Sequence, residues 1–192
     1  MQDNEAEWLI NAQNGDQQAF SYLVEKYQRP VYNLSYRMLG NAQDAEDAAQ
    51  ESFLRAYKAI KRYDKNRAFS SWLLSITAHY CIDQIRKKKF TIMSVEELSM
   101  PNLPDNAPGV ESKLSTKDEK LRIRTLLDVL SPIDRAAVIL YYWYDYSYQE
   151  ISDTLSLSIS AVKSRLHRSR RAMADSWAEK NKQTLNAERI LV

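Results

Sequence analysis

Apolar residues recur along this chain every three to four positions and seldom on alternate ones, which is the period of helices and not of strands. Trp8, Leu9 and Ala12 open a first amphipathic helix that stops at Asn14-Gly15-Asp16. Phe20, Leu23, Val24, Tyr27, Val31, Leu34 and Met38 carry a second as far as Gly40-Asn41, a natural C-cap. Pro30 lies inside it and is expected to kink or split it. A third helix is predicted over residues 43–61 and a fourth over 70–88. Between Thr91 and Lys117 the period fails, and Pro101, Pro104, Pro108 and Gly109 sit among Asn, Asp and Ser. That composition predicts a flexible linker. Periodicity resumes with Leu121, Ile123, Leu126, Leu127 and Leu130, and breaks at Ser131-Pro132, where proline suits a first helical turn. Ala136, Ala137, Ile139, Leu140 and Trp143 then form the core face of another helix. The expected fold is all-α: two small helical domains, residues 1–90 and 119–192, joined by a linker over 91–118.

The last pair of helices is the most specific pattern. Residues 148–171 read YQEISDTLSLSISAVKSRLHRSRR. Ser147 and Glu150 form the S-x-x-E signature of a capping box, so a short helix begins near Tyr148. Ser158 is placed to cap the next. In that second helix Val162, Leu166, Met173 and Trp177 share one face, while Ser160, Lys163, Ser164, His167, Arg168 and Arg171 share another. A short capped helix, a tight turn and a basic second helix describe a helix-turn-helix, whose second helix enters a DNA groove.

Composition narrows the rest. Net charge is only +2 over 192 residues, but residues 55–89 hold ten Lys and Arg against Asp64 and Asp83. Residues 91–118 lean acidic. Two basic zones divided by an acidic one suggest two nucleic-acid contacts on one chain. Cys81 is the single cysteine, so neither an internal disulfide nor a multi-cysteine zinc cage can form. The first residues lack the basic start and apolar run of a signal peptide, and no apolar stretch spans a bilayer, so a cytoplasmic protein without membrane insertion is expected.

Two further segments carry candidate chemistry. In the third helix Ala45, Ala48, Ala49, Ser52, Ala56 and Ile60 make an inward face of small side chains, with Phe53 on its flank. Asp47, Gln50, Glu51, Leu54 and Lys58 run down the opposite face. Leu54, apolar in a polar rim, has the pattern of an interface centre, although one exposed leucine is also ordinary. Asp47 and Glu51 could share a divalent cation, but no third ligand or nucleophile accompanies them, so no metal, cofactor or catalytic residue is expected. In residues 62–89 basic side chains interleave with Tyr63, Phe69, Trp72 and Tyr80. Rings plus cations suit single-stranded DNA. The same rings also suit a core: Trp72 and Leu73 are expected to be buried, with Tyr63 left in its loop to meet a base.

The runs AFSYLVEKY, RMLGN, AEDAAQESFLRAY, FSSWLLSITAH, LSPIDRAAV, SYQEISDTL and SAVKSRLHRSR follow one another in this order. Together they make the chain resemble the extracytoplasmic-function (ECF) sigma factors of bacterial RNA polymerase over nearly its whole length. The resemblance implies promoter recognition and transcription initiation in response to stress. It implies that Asp47, Gln50 and Glu51, with Phe53 and Leu54, bind the clamp coiled coil of the largest polymerase subunit, and that the second-largest subunit is also contacted. It implies that the loop Tyr63, Asp64, Lys65, Asn66, Arg67 and Phe69, with His79, captures the minus-ten element. Ser160, Lys163, Ser164, Arg165, His167, Arg168 and Arg171 would read the minus-thirty-five element. The linker would thread the polymerase channel near the RNA exit, and an anti-sigma factor would clamp both domains. The family usually has Asn at His79, Ala at Thr77, and often Gly at Tyr146 and Ser156; Tyr146 is therefore expected to need a positive φ. The rival reading is a helix-turn-helix regulator that is not a polymerase subunit.

Overall fold

The computed structural model describes residues 4–96 and 114–190, so most of the expected linker lies outside the described residues. The described residues are almost entirely helical. The first unit comprises α1 (Glu5–Gln13), α2 (Gln17–Leu39), α3 (Ala42–Ala59), a single 3-10 turn (Ile60–Arg62) and α4 (Phe69–Glu96). The second comprises α5 (Leu114–Asp128), α6 (Pro132–Trp143), α7 (Tyr148–Leu155) and α8 (Ile159–Ile190). Helices α4 and α5 thus reach into the stretch read as linker, to Glu96 and from Leu114.

Side chains start these helices where the sequence places them. Asp16 accepts from the amides of Gln18 and Ala19, Asn41 from Asp44, and Ser131 from Asp134. Gly40 ends α2 at φ 82°, its amide donating to the Tyr36 carbonyl. Of the kink or split expected at Pro30, the split does not occur: helix α2 runs on through it. Proline costs about 3 kcal/mol inside a helix, but Leu23, Val31, Leu34 and Met38 on either side are fully buried. Their burial outweighs the lost hydrogen bond at roughly 1.5–3 kcal/mol per side chain.

Ala45, Ala48, Ser52 and Ala56 are all fully buried, which lets α3 lie close against its neighbours. The buried hydroxyls of Ser35, Ser52 and Thr77 donate to the carbonyls of Val31, Ala48 and Leu73 one turn back, so no polar group of theirs is stranded. Cys81 is enclosed in the same core, and burial pushes its thiol up to about 12, slightly offset by the Ser35 hydroxyl. The left-handed residues between α6 and α8 are Asp145 (φ 53°) and Ser156 (φ 54°). Ser156 is one of the two turn positions where the resemblance leads one to expect Gly. Tyr146, the other, does not take the positive φ expected of it: the strain falls one residue earlier on Asp145, whose short polar side chain tolerates it better, and Tyr146 is buried instead.

The two units pack on each other through α6 and α7 against α2 and α4. Arg135 is the pin: its Nη1 donates to the Met38 carbonyl at 2.8 Å and its Nη2 pairs with Asp128 at 3.1 Å. The Tyr144 hydroxyl donates to the Pro30 carbonyl at 2.6 Å, and burial pushes that phenol well up. Arg37 lies 5.2 Å from the ring centre of Trp143. This leaves Trp143 about one-third exposed (37%) at the seam and not in the core where the periodicity put it. Gly40 closes the seam from the other side, since a Cβ there would come within 2.9 Å of Arg124 Nε.

Candidate nucleic-acid interface

Three surfaces gather the residues singled out in the sequence. On α3, Asp47, Gln50 and Leu54 point outward, and Glu51 and Phe53 are half-buried. Leu54 is 46% exposed, so the small-residue face beneath it does not need it. Glu51 holds Arg55 at 2.8 Å, and that guanidinium lies 4.8 Å from the ring centre of Tyr80. Asp47 accepts from Gln43 at 3.3 Å. Beside this stripe runs an open groove of about 440 Å³ between α2 and α3, lined by Val24, Tyr32, Ala49, Gln50 and Phe53 among others. The α2 side of the groove was not legible as a site: Val24 reads as core, and only its i, i+4, i+8 relation to Gln28 and Tyr32 hints at a second stripe.

The loop before α4 is built differently from expectation. Tyr63 is buried, and its hydroxyl donates to the Arg67 carbonyl within the loop. Its ring lies 5.5 Å from Phe69 and 5.0 Å from Trp72. Gln13 donates to the carbonyls of Ile60 and Tyr63, which ties the loop to α1. Tyr63 and Phe69 therefore act as scaffold, because two large rings beside an apolar core gain more from burial than from water. What the scaffold presents is Asp64, Lys65, Asn66 and Arg67, all exposed. Asp64 fixes the tip by accepting from the Asn66 amide and side chain, both at 3.0 Å. About three turns into α4, His79 is exposed with Nδ1 2.7 Å from the Ser75 carbonyl. A carbonyl only accepts, so Nδ1 is the donor in this bond.

In the helix-turn-helix, the capping box forms in both directions: Ser147 accepts from the Glu150 amide, and Glu150 from the Ser147 amide. The Ser147 hydroxyl, donating to the Glu150 carboxylate at 2.7 Å, and the Ser147 amide at 2.8 Å hold that carboxyl below its usual range. Its contribution is therefore complete above the ordinary glutamate pKa and is lost as pH falls through the lowered one. Ser147→Ala is expected to cost about 1 kcal/mol, read as a lower midpoint in urea denaturation, and the deficit should shrink in acid. Ser158 caps α8 through the Ala161 amide. Val162 and Leu166 are buried, while Ser160, Lys163, Ser164, His167, Arg168 and Arg171 are exposed. Arg165 stands apart, half-buried and paired with Asp134 at 2.7 Å, so part of its charge is spent locking α8 to α6. Lys163 sits 5.8 Å from the ring centre of Tyr148, which stacks on Tyr141 at 5.6 Å. These two tyrosines extend the basic face and escaped the sequence reading, where they counted only as helix residues.

Comparison with known proteins decides what these surfaces belong to. The family model of Sigma-70 region 2 matches residues 23–91, and that of Sigma-70 region 4 matches residues 120–173. The chain is 38% identical over 178 residues to the ECF RNA polymerase sigma factor SigW of Bacillus subtilis, covering 86% of this chain and 92% of that one. This chain is an ECF sigma factor. It directs promoter recognition and transcription initiation by bacterial RNA polymerase. A second ECF sigma factor, SigE of Mycolicibacterium smegmatis, is 33% identical, with 88% of this chain and 67% of that one covered. Two solved structures share the fold. CnrH in complex with the cytosolic domain of CnrY aligns with a TM-score of 0.69 at 21% identity, over 92% of this chain and 99% of that one. The sigma factor RpoE of Bartonella quintana in complex with the anti-sigma factor NepR gives 0.63 at 19%, over 83% and 96%. In this ECF sigma factor, region 2 supplies α3 and the loop before α4, and region 4 supplies the helix-turn-helix. No helix among the described residues is long and apolar enough to cross a membrane.

Proposed function

We propose that the sigma factor works through three separate surfaces divided between residues 1–90 and 119–192. The α3 stripe Asp47, Gln50, Glu51, Phe53 and Leu54 grips the clamp coiled coil of the largest polymerase subunit. The loop Asp64, Lys65, Asn66 and Arg67, held by Tyr63 and Phe69, takes the melted minus-ten strand, with His79 offering Nε2 to a base. The exposed face of α8 from Ser160 to Arg171 enters the major groove at minus-thirty-five, positioned by Arg165. The linker threads toward the RNA exit and the second-largest subunit. An anti-sigma factor masks the polymerase surfaces until a stress releases the chain, a reading supported by the RpoE–NepR complex of the same fold. The protein acts by binding alone and needs no cofactor.

The observation that carries this reading is the exposed Leu54 at the centre of a polar stripe, 46% open to solvent on a helix whose other face is packed shut. An apolar centre inside a rim of carboxylate and amide groups is the pattern of a protein interface. The test is to mix the purified chain with catalytic core polymerase and map transcript starts. Core should gain selective starts; random initiation with and without the chain would overturn the proposal.

A further inference from the structure

Helix α1 precedes the stretch matched by the region 2 model, which begins at residue 23, yet it is bonded to the loop assigned to minus-ten DNA. Gln13, the last residue of α1, donates through Nε2 to the Ile60 carbonyl at 3.1 Å and to the Tyr63 carbonyl at 2.9 Å, 47 and 50 positions further along the chain. A carboxamide has two N–H groups, and both are spent on the end of the 3-10 turn. Carbonyls at a helix end lack intrahelical partners, so a donor from another element decides where that end sits. Tyr63 passes the constraint on. Its phenol donates to the Arg67 carbonyl, and its ring is held by Phe69 and Trp72. The exposed residues Asp64, Lys65, Asn66 and Arg67 therefore hang between two anchored carbonyls, that of Tyr63 held by Gln13 and that of Arg67 held by Tyr63. The Arg67 amide closes the turn on the Asp64 carbonyl at 3.1 Å. Helix α1 is itself well fixed: Leu9 and Ala12 are buried, and Glu5 accepts from the Tyr27 hydroxyl at 2.8 Å and pairs with Lys26 at 2.5 Å.

We propose that Gln13 is a positioning residue for minus-ten recognition: its carboxamide, acting through the Tyr63 backbone, sets the conformation in which residues 64–67 meet the melted strand. The proposal rests on the assignment of that loop to minus-ten DNA. Gln13 is half-buried and works from behind the loop, without a contact to DNA of its own. Two properties of the side chain matter. It carries a donor, because both targets are acceptors, and it has the length to reach them. Methionine matches that length without a donor. Asparagine keeps the amide but is one methylene short. Lysine reaches both carbonyls and brings three N–H donors. Methionine and lysine also equal glutamine as helix formers, so α1 is retained. Gln13 takes no part in the α3 stripe, so the grip on polymerase is independent of it.

The experiment uses the full chain with core polymerase and a labelled single-stranded DNA, the non-template strand of a promoter located by the start mapping above, beside a copy with its minus-ten bases replaced. The reading is the ratio of the two affinities, because the extra charge of a lysine acts on phosphates and cancels between sequences. Gln13→Met and Gln13→Asn are expected to lower the ratio at least about fivefold, the low end of what one base contact discriminates. Gln13→Lys is expected to restore most of it, and core capture to stay unchanged in all three. A bond that only stabilised the fold would lower the melting temperature and leave the ratio alone. In the free chain, deuterium uptake across residues 60–68 is expected to quicken with Met and Asn and not with Lys. An unchanged ratio in a folded Met or Asn variant, or no recovery with Lys, would overturn the proposal. If the parent locates no promoter, or does not distinguish the two DNAs, the assignment of the loop falls and the promoter role of Gln13 falls with it. The uptake measurement still decides whether Gln13 sets the loop.

Discussion

Leu54→Asp is expected to abolish capture of core polymerase while leaving the protein folded. The side chain leaves no hole in the core: it is 46% exposed, and the buried contacts of α3 are made by Ala45, Ala48, Ser52 and Ala56. Changes at such surface positions stay within about 0.5 kcal/mol, plus about 0.5 kcal/mol for the poorer helix propensity of Asp. Binding is another matter. An apolar centre ringed by Asp47, Gln50 and Glu51 would receive a third carboxylate where the partner expects a methyl group. Losing a central contact costs at least about 2 kcal/mol, about thirtyfold in Kd, and the added charge repulsion and desolvation push further. Anisotropy of the labelled chain against core polymerase reads the affinity, and a thermal melt reads the fold. A large fall in melting temperature would place Leu54 inside the core, and unchanged affinity would move the polymerase surface elsewhere.

Arg168→Ala is expected to do the reverse. It sits on the exposed face of α8 beyond the buried Val162 and Leu166, so polymerase capture should be intact. Promoter use should fall by about 1–3 kcal/mol, between roughly fivefold and 150-fold, if the side chain reaches a base edge, and the loss should then depend on the minus-thirty-five sequence. A loss uniform across sequences, with the salt slope reduced by about one, would reassign Arg168 to a phosphate. Arg165 makes the useful control. Its pairing with Asp134 at 2.7 Å means that its removal loosens α8 as well as weakening DNA binding, so it should lower stability where Arg168→Ala does not.

Local signals in the sequence were legible wherever one residue type answers one backbone need. The capping box at Ser147, the left-handed Gly40, Pro132 in the first turn of α6 and the small-residue face of α3 all stand where the spacing put them. The misreadings share a cause, which is that tertiary contacts changed the value of a residue. Pro30 breaks an isolated helix, but here its neighbours are fully buried and its carbonyl is used by Tyr144. Tyr63 looks like an exposed loop ring until Phe69 and Trp72 come beside it. Trp143 has core periodicity, yet Arg37 meets it at a seam. That seam joins residues about a hundred positions apart, and no periodicity within either half announces it. The site residues themselves were legible as faces; which neighbours support them, such as the α2 side of the groove, was not.

One feature of the first core bears on how signals reach this protein. Its lone thiol is buried, and that burial pushes its pKa up to about 12. Peroxide and disulfide exchange act on accessible thiolate, and here there is none. An oxidative stimulus that changes promoter choice through this chain therefore has to act by a route other than this thiol, and the cysteine serves as packing and not as a sensor.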